Sequence, residues 1–389
     1  MRSQIKLATD TIERKDIDEL KEWLSQEPIP QLTKGKLTIE YEEAYAKSVD
    51  SKYAVFVNSG SSANLLTIST LISDGALRNN KVVIPALSWI TTISPVIQFG
   101  LEPILCDINL NDLAVDKDHL EDIFRKEKPS ALFLVSVLGM SPDMDKISEL
   151  CAKYGVILLL DNCEGQGSSY NGRALENYPA MSTCSSYFGH ITSTVEGGMI
   201  TTDNEDYYNK LKMLRSHGWD RDLSEEKRKE LRKDNGITKF NQLYRFHTEG
   251  FNLRNTEIGA FFGLRQLKKL NLFIHARDAN FRLYNSLIKN DYWKPTEKDN
   301  CRISNLGYPV ISPKIDEIVE ALRGNNVEVR PLISGNLGLH PFYSKRYGKK
   351  DLKNANIVDE YGLYLPNNQS ITVEEIEFIC EIVNKIIEK

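Results

Sequence analysis

From about residue 55 to residue 205, short apolar runs alternate with longer amphipathic stretches, the pattern of a parallel sheet covered by helices on both faces. Strands are predicted at Tyr53 to Val57, Val82 to Ile84, Pro103 to Asp107, Ala131 to Leu138, Val156 to Asp161, Thr183 to Phe188 and Gly198 to Thr202. Most are apolar throughout, as strands buried on both faces must be. Asp220 to Asn241 breaks the rhythm: nearly every residue is charged or polar, which predicts an exposed helix or a mobile excursion. A helix is expected around Glu257 to Leu272, then a strand at Gly307 to Ile311 and helices at Lys314 to Arg323 and Val373 to Ile387. The reading is α/β, with a large domain over residues 1–272 and a smaller C-terminal α+β domain over 273–389. A length of 389 residues agrees, since single cores stop growing near ~250–300 residues.

Composition narrows the class. Hydrophobic residues at 41% and charged residues at 26% are those of a globular chain rather than a disordered or fibrous one. The first residues, MRSQIKLATDTIERKDIDELKEWL, are charged throughout and lack an apolar signal core, so the cytoplasm is the expected location and no membrane span is predicted. Cysteines stand at 106, 151, 163, 184, 301 and 380 with no CxxC pair, as reduced buried thiols would, and no metal site is expected. With a net charge of −5 and both signs mixed along the chain, no basic face for nucleic acid is present. A small-molecule partner is the expectation that remains.

Three motifs could carry chemistry. Asn58 to Asn64 (NSGSSAN) joins an apolar run to a helical one; its backbone N–H groups at a helix start could cradle a phosphate, or it is a turn capped by serine. Asp161-Asn162-Cys163-Glu164 ends the run VILLL, which points a carboxylate into the crevice where open α/β sheets bind ligands, unless Asp161 simply caps the next turn. Buried there, the carboxylate needs a partner, for which a protonated heterocycle nitrogen would serve. Ser185 to His190 (SSYFGH) precedes a turn, TSTVEGG, and places His190 on the same sheet edge as Asp161 if their strands are parallel. Histidine suits proton transfer near neutrality, although a lone histidine is more often structural.

These motifs, in this order, resemble the DegT/DnrJ/EryC1/StrS sugar aminotransferase family of fold-type I pyridoxal-phosphate enzymes. The resemblance extends through LTIEYEEAYA (37–46), SKYAVFVNSGSSAN (51–64), PALSWITT (85–92), EGGMITTD (196–203), RSHG (215–218), GFNLR (250–254) and Arg330-Pro331. It implies an aspartate-aminotransferase-like fold and a homodimer with shared active sites. It implies further that Gly60, Ser61 and Ser185 hold the cofactor phosphate together with Asn252 of a neighbouring subunit, that Trp89 stacks on the pyridine ring, that Asp161 pairs with the ring nitrogen, and that Glu164 is a second ring contact. 

One departure redirects the expected reaction. The family's aminotransferases carry, six residues before the glutamate of the EGG turn, a lysine that binds the cofactor covalently; that position here is His190. An imidazole cannot form that bond. The chain is thus similar to the histidine-containing branch of sugar 3-dehydratases, which implies noncovalent pyridoxal or pyridoxamine phosphate, L-glutamate as amino donor, and His190 as acid and base. The implied substrate is a GDP-linked 4-ketosugar, GDP-4-keto-6-deoxymannose, losing its C3 hydroxyl with release of ammonia. Cysteine gaps of 12 residues or more speak against the iron–sulfur cluster found elsewhere in that branch. His217, Arg221, Arg254 and Arg330 are the candidates for carboxylate or diphosphate recognition, Arg330 first among them. The rivals are a C4 aminotransferase, a 3-dehydratase for another GDP- or CDP-linked ketosugar, and a catalytically silent homologue.

Overall fold

In the computed structural model, which describes residues 3–233 and 240–388, a seven-stranded sheet forms the middle of the large unit. Its strands are β1 (Tyr53–Val57), β2 (Lys81–Pro85), β3 (Glu102–Cys106), β4 (Ala131–Val135), β5 (Ile157–Asp161), β6 (Met181–Ser185) and β7 (Gly198–Thr202). Their spatial order is β1-β7-β6-β5-β4-β2-β3. All are parallel except β7, which runs antiparallel to both neighbours, with Val57 opposite Gly198 and Ser185 opposite Gly198. Since β4 to β7 are buried almost throughout, helices must cover both faces, and two apolar clusters lie there, one around Leu66, Ile84 and Phe133 and the other around Leu120, Leu134 and Leu160.

Two strand predictions overran their ends by three residues each. The strand expected to reach Leu138 stops at Val135, because Leu138 and Gly139 both take positive φ (51° and 78°) in a turn that leaves the sheet. The strand expected at Thr183 to Phe188 runs from Met181 to Ser185; Tyr187 and Phe188 are 48% and 40% exposed and belong to a surface loop, where their aromatic character misled the pattern. The helix expected at Glu257 to Leu272 continues to Leu287, since Phe273, Ile274, Phe281 and Tyr284 keep supplying buried apolar positions. It therefore runs through the point where the sequence reading divides the chain: Ala260 packs beside β1, whereas Phe281 and Tyr284 pack in the C-terminal core.

That second core surrounds a three-stranded antiparallel sheet, in which Gly362–Pro366 lies between Gly307–Ile311 and Arg330–Pro331. Helices Ile315–Gly324 and Val373–Ile387 cover it. In the charged stretch, Glu225–Arg232 is a helix without a buried residue, capped by Ser224; residues 234–239 of the expected excursion lie outside the described residues. Among the described residues no helix is long and apolar enough to cross a membrane, and all six cysteines are free.

Candidate active site

The parallel strands β1, β2, β4, β5 and β6 end at one edge of the sheet, and the antiparallel β7 starts there, so the loops they feed converge. They line a cleft of about 400 Å³. β1 leads into Ser59, Gly60 and Ser61, β2 into Trp89, and β4 ends at Val135; β5 contributes Asp161, Cys163 and Glu164, and β6 leads into Ser185, Tyr187 and His190. Glu196 precedes β7, and Leu306, Arg330 and Tyr364 come from the C-terminal unit.

The Gly60–Asp74 helix starts because Ser59, in extended conformation, accepts the Ser62 amide on its hydroxyl. Cap and cradle coexist: the side chain of Ser59 takes one free amide, leaving those of the first turn at the positive end of the helix dipole. Residue 60 has to be glycine, because a β-carbon there would stand 2.7 Å from the Ser185 Cβ and 2.9 Å from the Cys163 Sγ.

Asp161 is 4% exposed. Its Oδ2 accepts from Asn64 Nδ2 and Thr92 Oγ1, each at 2.7 Å, and its Oδ1 accepts from the Cys163 amide at 3.2 Å. Asn64 is itself oriented by the Thr183 hydroxyl, which donates to its Oδ1 at 2.6 Å. The carboxylate is thereby fixed by neutral donors and carries no ion pair among the described residues, which suits it to an incoming cation. Asn64 and Thr92 lie in motifs read from the sequence and Thr183 in a predicted strand, but only the fold brings them round Asp161.

Burial pushes the Glu164 carboxyl up to about 8, with the nearby Asp161 charge adding to the effect and the hydrogen bond from the Leu138 amide, 2.7 Å long, opposing it. At neutral pH Glu164 is largely protonated and can donate a hydrogen bond. Burial pushes the His190 imidazole the other way, down to about 4, against the pull of the Asp161 carboxylate. Its Nδ1 is shielded from solvent and has no hydrogen-bond partner among the described residues. A neutral imidazole with a free nitrogen is a base in waiting. Trp89 is 55% exposed on the cleft wall, so it is no core tryptophan.

The remaining predicted residues lie elsewhere. Asn252, Arg221 and Arg254 line a separate cavity of about 390 Å³ with Lys34 and Trp219, and it shares no residue with the cleft. Arg254 donates to Asn252 Oδ1 at 3.0 Å, and its Nη2 lies 3.4 Å from His217 Nε2. Of the cationic candidates, only Arg330 reaches the cleft that holds His190. Among the described residues no group of histidine, cysteine and acidic side chains could hold a metal ion.

Known proteins resemble this chain along nearly its whole length. The GDP-4-keto-6-deoxy-D-mannose 3-dehydratase of Escherichia coli O55:H7 is 32% identical over 362 residues, covering 90% of this chain and 92% of that protein. A solved structure of GDP-4-keto-6-deoxymannose 3-dehydratase, a mutant with bound GDP-perosamine, is 30% identical and matches with a TM-score of 0.88 over 97% of this chain and 100% of that one. Another, with a trapped PLP–glutamate geminal diamine, has the same identity, TM-score and coverage. The fold is that of the fold-type I pyridoxal-phosphate enzymes. With residues 10–384 matching its family description, the chain belongs to the DegT/DnrJ/EryC1/StrS aminotransferase family.

Proposed function

We propose that this protein is a pyridoxal/pyridoxamine phosphate-dependent lyase that removes the C3 hydroxyl of GDP-4-keto-6-deoxy-D-mannose, with L-glutamate as amino donor and ammonia released. The observation that carries the reading is His190: an imidazole, not an amine, lines the cleft with Asp161, Ser185 and Gly60. The likeness to GDP-4-keto-6-deoxymannose 3-dehydratase over nearly the whole chain supports the same substrate.

The residues present fit the cofactor. A helix start made open by glycine, next to the Ser185 hydroxyl, suits a phosphate; the exposed face of Trp89 suits a planar ring; and the buried Asp161 carboxylate suits a protonated pyridine nitrogen. When bound, the cofactor supplies the amine that engages the sugar ketone and a protonated ring that draws electrons away from the reacting carbon. The chain supplies the rest. Gly60, Ser61 and Ser185 bind the phosphate, and Trp89 covers the ring. Asp161, held by Asn64 and Thr92, would keep the ring nitrogen protonated, and protonated Glu164 would offer the ring a hydrogen-bond donor. His190, neutral and with its Nδ1 unpartnered among the described residues, would take up the proton that must leave carbon before the C3 hydroxyl departs, and return it as an acid. Because an imidazole at position 190 forms no covalent bond with the cofactor, the cleft would hold it only through noncovalent contacts.

Asn252, Arg221, Arg254 and His217 share no cavity with His190 of their own chain, which supports a homodimer in which each subunit lends Asn252 and its neighbours to the other's cleft. The test is to incubate the purified protein with pyridoxal phosphate, glutamate and GDP-4-keto-6-deoxymannose and to follow sugar mass and ammonia. Loss of one oxygen with ammonia release is expected; a product carrying a 4-amino group would overturn the dehydratase in favour of an aminotransferase.

A further inference from the structure

The turn that carries Asp161 and Glu164 is held on the side away from the cleft as well. The Asn162 amide continues the ladder between β5 and β6 by donating to the Thr183 carbonyl at 2.9 Å. Side chains alternate along such an extended run, so where Asp161 faces the cleft, Asn162 faces away from it. Its Nδ2 uses both hydrogens there: one bond goes to the Gly165 carbonyl at 3.1 Å and closes the turn, the other to Glu176 Oε1 at 2.8 Å. Resting on the pyridoxal-phosphate reading of the cleft, we propose that Glu176 is a positioning residue for the cofactor. Acting through Asn162, it fixes the turn 161–165 so that Asp161 meets the ring nitrogen, and Glu164 the ring, in one set geometry.

Packing leaves this turn little freedom. Gly165 lies against the Asn162 side chain: a β-carbon at 165 would stand 2.4 Å from Asn162 Oδ1 and 2.6 Å from Ser136 Oγ. The Gly165 amide donates to the Asn162 carbonyl, and the Ser136 amide to the Asp161 carbonyl, each at 3.1 Å. Glu176 is itself on a firm base, the one-turn helix Leu175–Asn177. The Leu175 amide donates to the Ser168 carbonyl at 3.2 Å, and Asn177 Nδ2 to the Val49 carbonyl at 2.7 Å. The Ser51 hydroxyl donates to Asn177 Oδ1 at 3.2 Å. A carboxyl anchored in this way can hold Asn162 in place; one on a loose loop could not.

Neither member of the pair reaches the cleft. Asn162 and Glu176 are 0% and 3% exposed, and neither lines the cavity that holds His190. Burial pushes the Glu176 carboxyl up to about 7, against hydrogen bonds from its own amide, the Asn162 side chain and the Gly167 amide and against the nearby Arg302 charge. An apolar side chain would fill the same space without that desolvation. What the carboxyl adds is an acceptor where the Asn162 side chain needs one, and it keeps an accepting oxygen whether protonated or ionised.

The test compares Glu176→Gln, Glu176→Ala and Glu176→Asp. Pyridoxal phosphate affinity is read by fluorescence titration well below each melting temperature, and the ring proton by nitrogen NMR of labelled, bound cofactor against pH. Glutamine keeps an oxygen for Asn162 and is expected to bind the cofactor within about twofold of the unaltered protein. Alanine and aspartate, too short to reach Asn162, are expected to weaken it about fivefold to tenfold and to lower the pH at which the ring nitrogen loses its proton. Asn162→Ala removes the link from its other end and should produce both changes, which decides the matter if the shortened Glu176 variants do not fold. Variants that melt earlier yet bind the cofactor as tightly, and keep its ring proton to the same pH, would make Glu176 a structural residue and overturn the proposal. A glutamine variant as weak as the alanine one would overturn it too. If the unaltered protein does not bind pyridoxal phosphate, the cofactor reading itself falls, and the positioning role with it.

Discussion

His190 shows how far a side chain's chemistry is set by its surroundings. In water an imidazole titrates near 6.5; in this cleft burial holds it to about 4. Between those two values the unfolded chain binds more protons than the folded one, so the stability contributed by this group is complete above pH 6.5 and is lost as pH falls toward 4. The cofactor-free protein should therefore show His190 ring NMR signals that stay in the neutral form from pH 8 down to pH 5. A His190 midpoint near 6.5 would show that the ring is solvated. Glu164 is shifted in the opposite sense, up to about 8, which separates one proton donor from one proton acceptor within a single cleft. The sequence supplied both residue types, but neither shift was legible in it, because each arises from burial by elements far away along the chain.

At the scale of elements, three chain segments meet at Gly60: the start of a helix, the end of β6 at Ser185 and the loop after β5 at Cys163. A methyl group there must displace the Ser185 Cβ and the Cys163 Sγ. Gly60→Ala should destabilise the protein by about 1–3 kcal/mol, the usual result of overpacking, and should weaken pyridoxal phosphate more than tenfold, measured by fluorescence titration. Undiminished affinity would mean that the phosphate is held at some other loop. Nearby, Arg215, fully buried, donates to Glu42 and to the Phe56 carbonyl, while the Phe56 amide donates to Glu42 at 2.8 Å; this fixes the strand that delivers Ser59 and Gly60. RSHG and LTIEYEEAYA, which holds Glu42, both stood out in the sequence as motifs, yet nothing in it paired Arg215 with Glu42, 173 positions away. Local patterning reports which face of an element is apolar and is silent about which buried charges pair across elements.

At the scale of the molecule, His190 and Asn252 occupy separate cavities of one chain. If a dimer unites them, complementation follows. His190→Ala should lose about 10²- to 10⁴-fold in turnover, the usual contribution of a general base. Asn252→Asp, which sets a carboxylate where the partner's phosphate would lie, should be impaired through cofactor affinity. Mixed after unfolding and refolding together, the two variants form heterodimers with one intact and one doubly altered site, so activity should recover to about a quarter of the unsubstituted level. No recovery beyond the sum of the separate variants would exclude a site shared in this way.

By itself the sequence determined the order and type of the main elements, because apolar runs of strand length between helical periodicities leave few ways to bury them. It also placed His190 at the lysine position and named the loops at the sheet's edge, since those features are local and ordered along the chain. Only the tertiary structure decided that β7 runs antiparallel, that Asn64 and Thr92 hold Asp161, and that Arg330 joins the cleft while Arg221 and Arg254 do not. The physical reason is the same in each case: these contacts join residues tens to hundreds of positions apart, and no local periodicity encodes which surfaces the folded chain brings together.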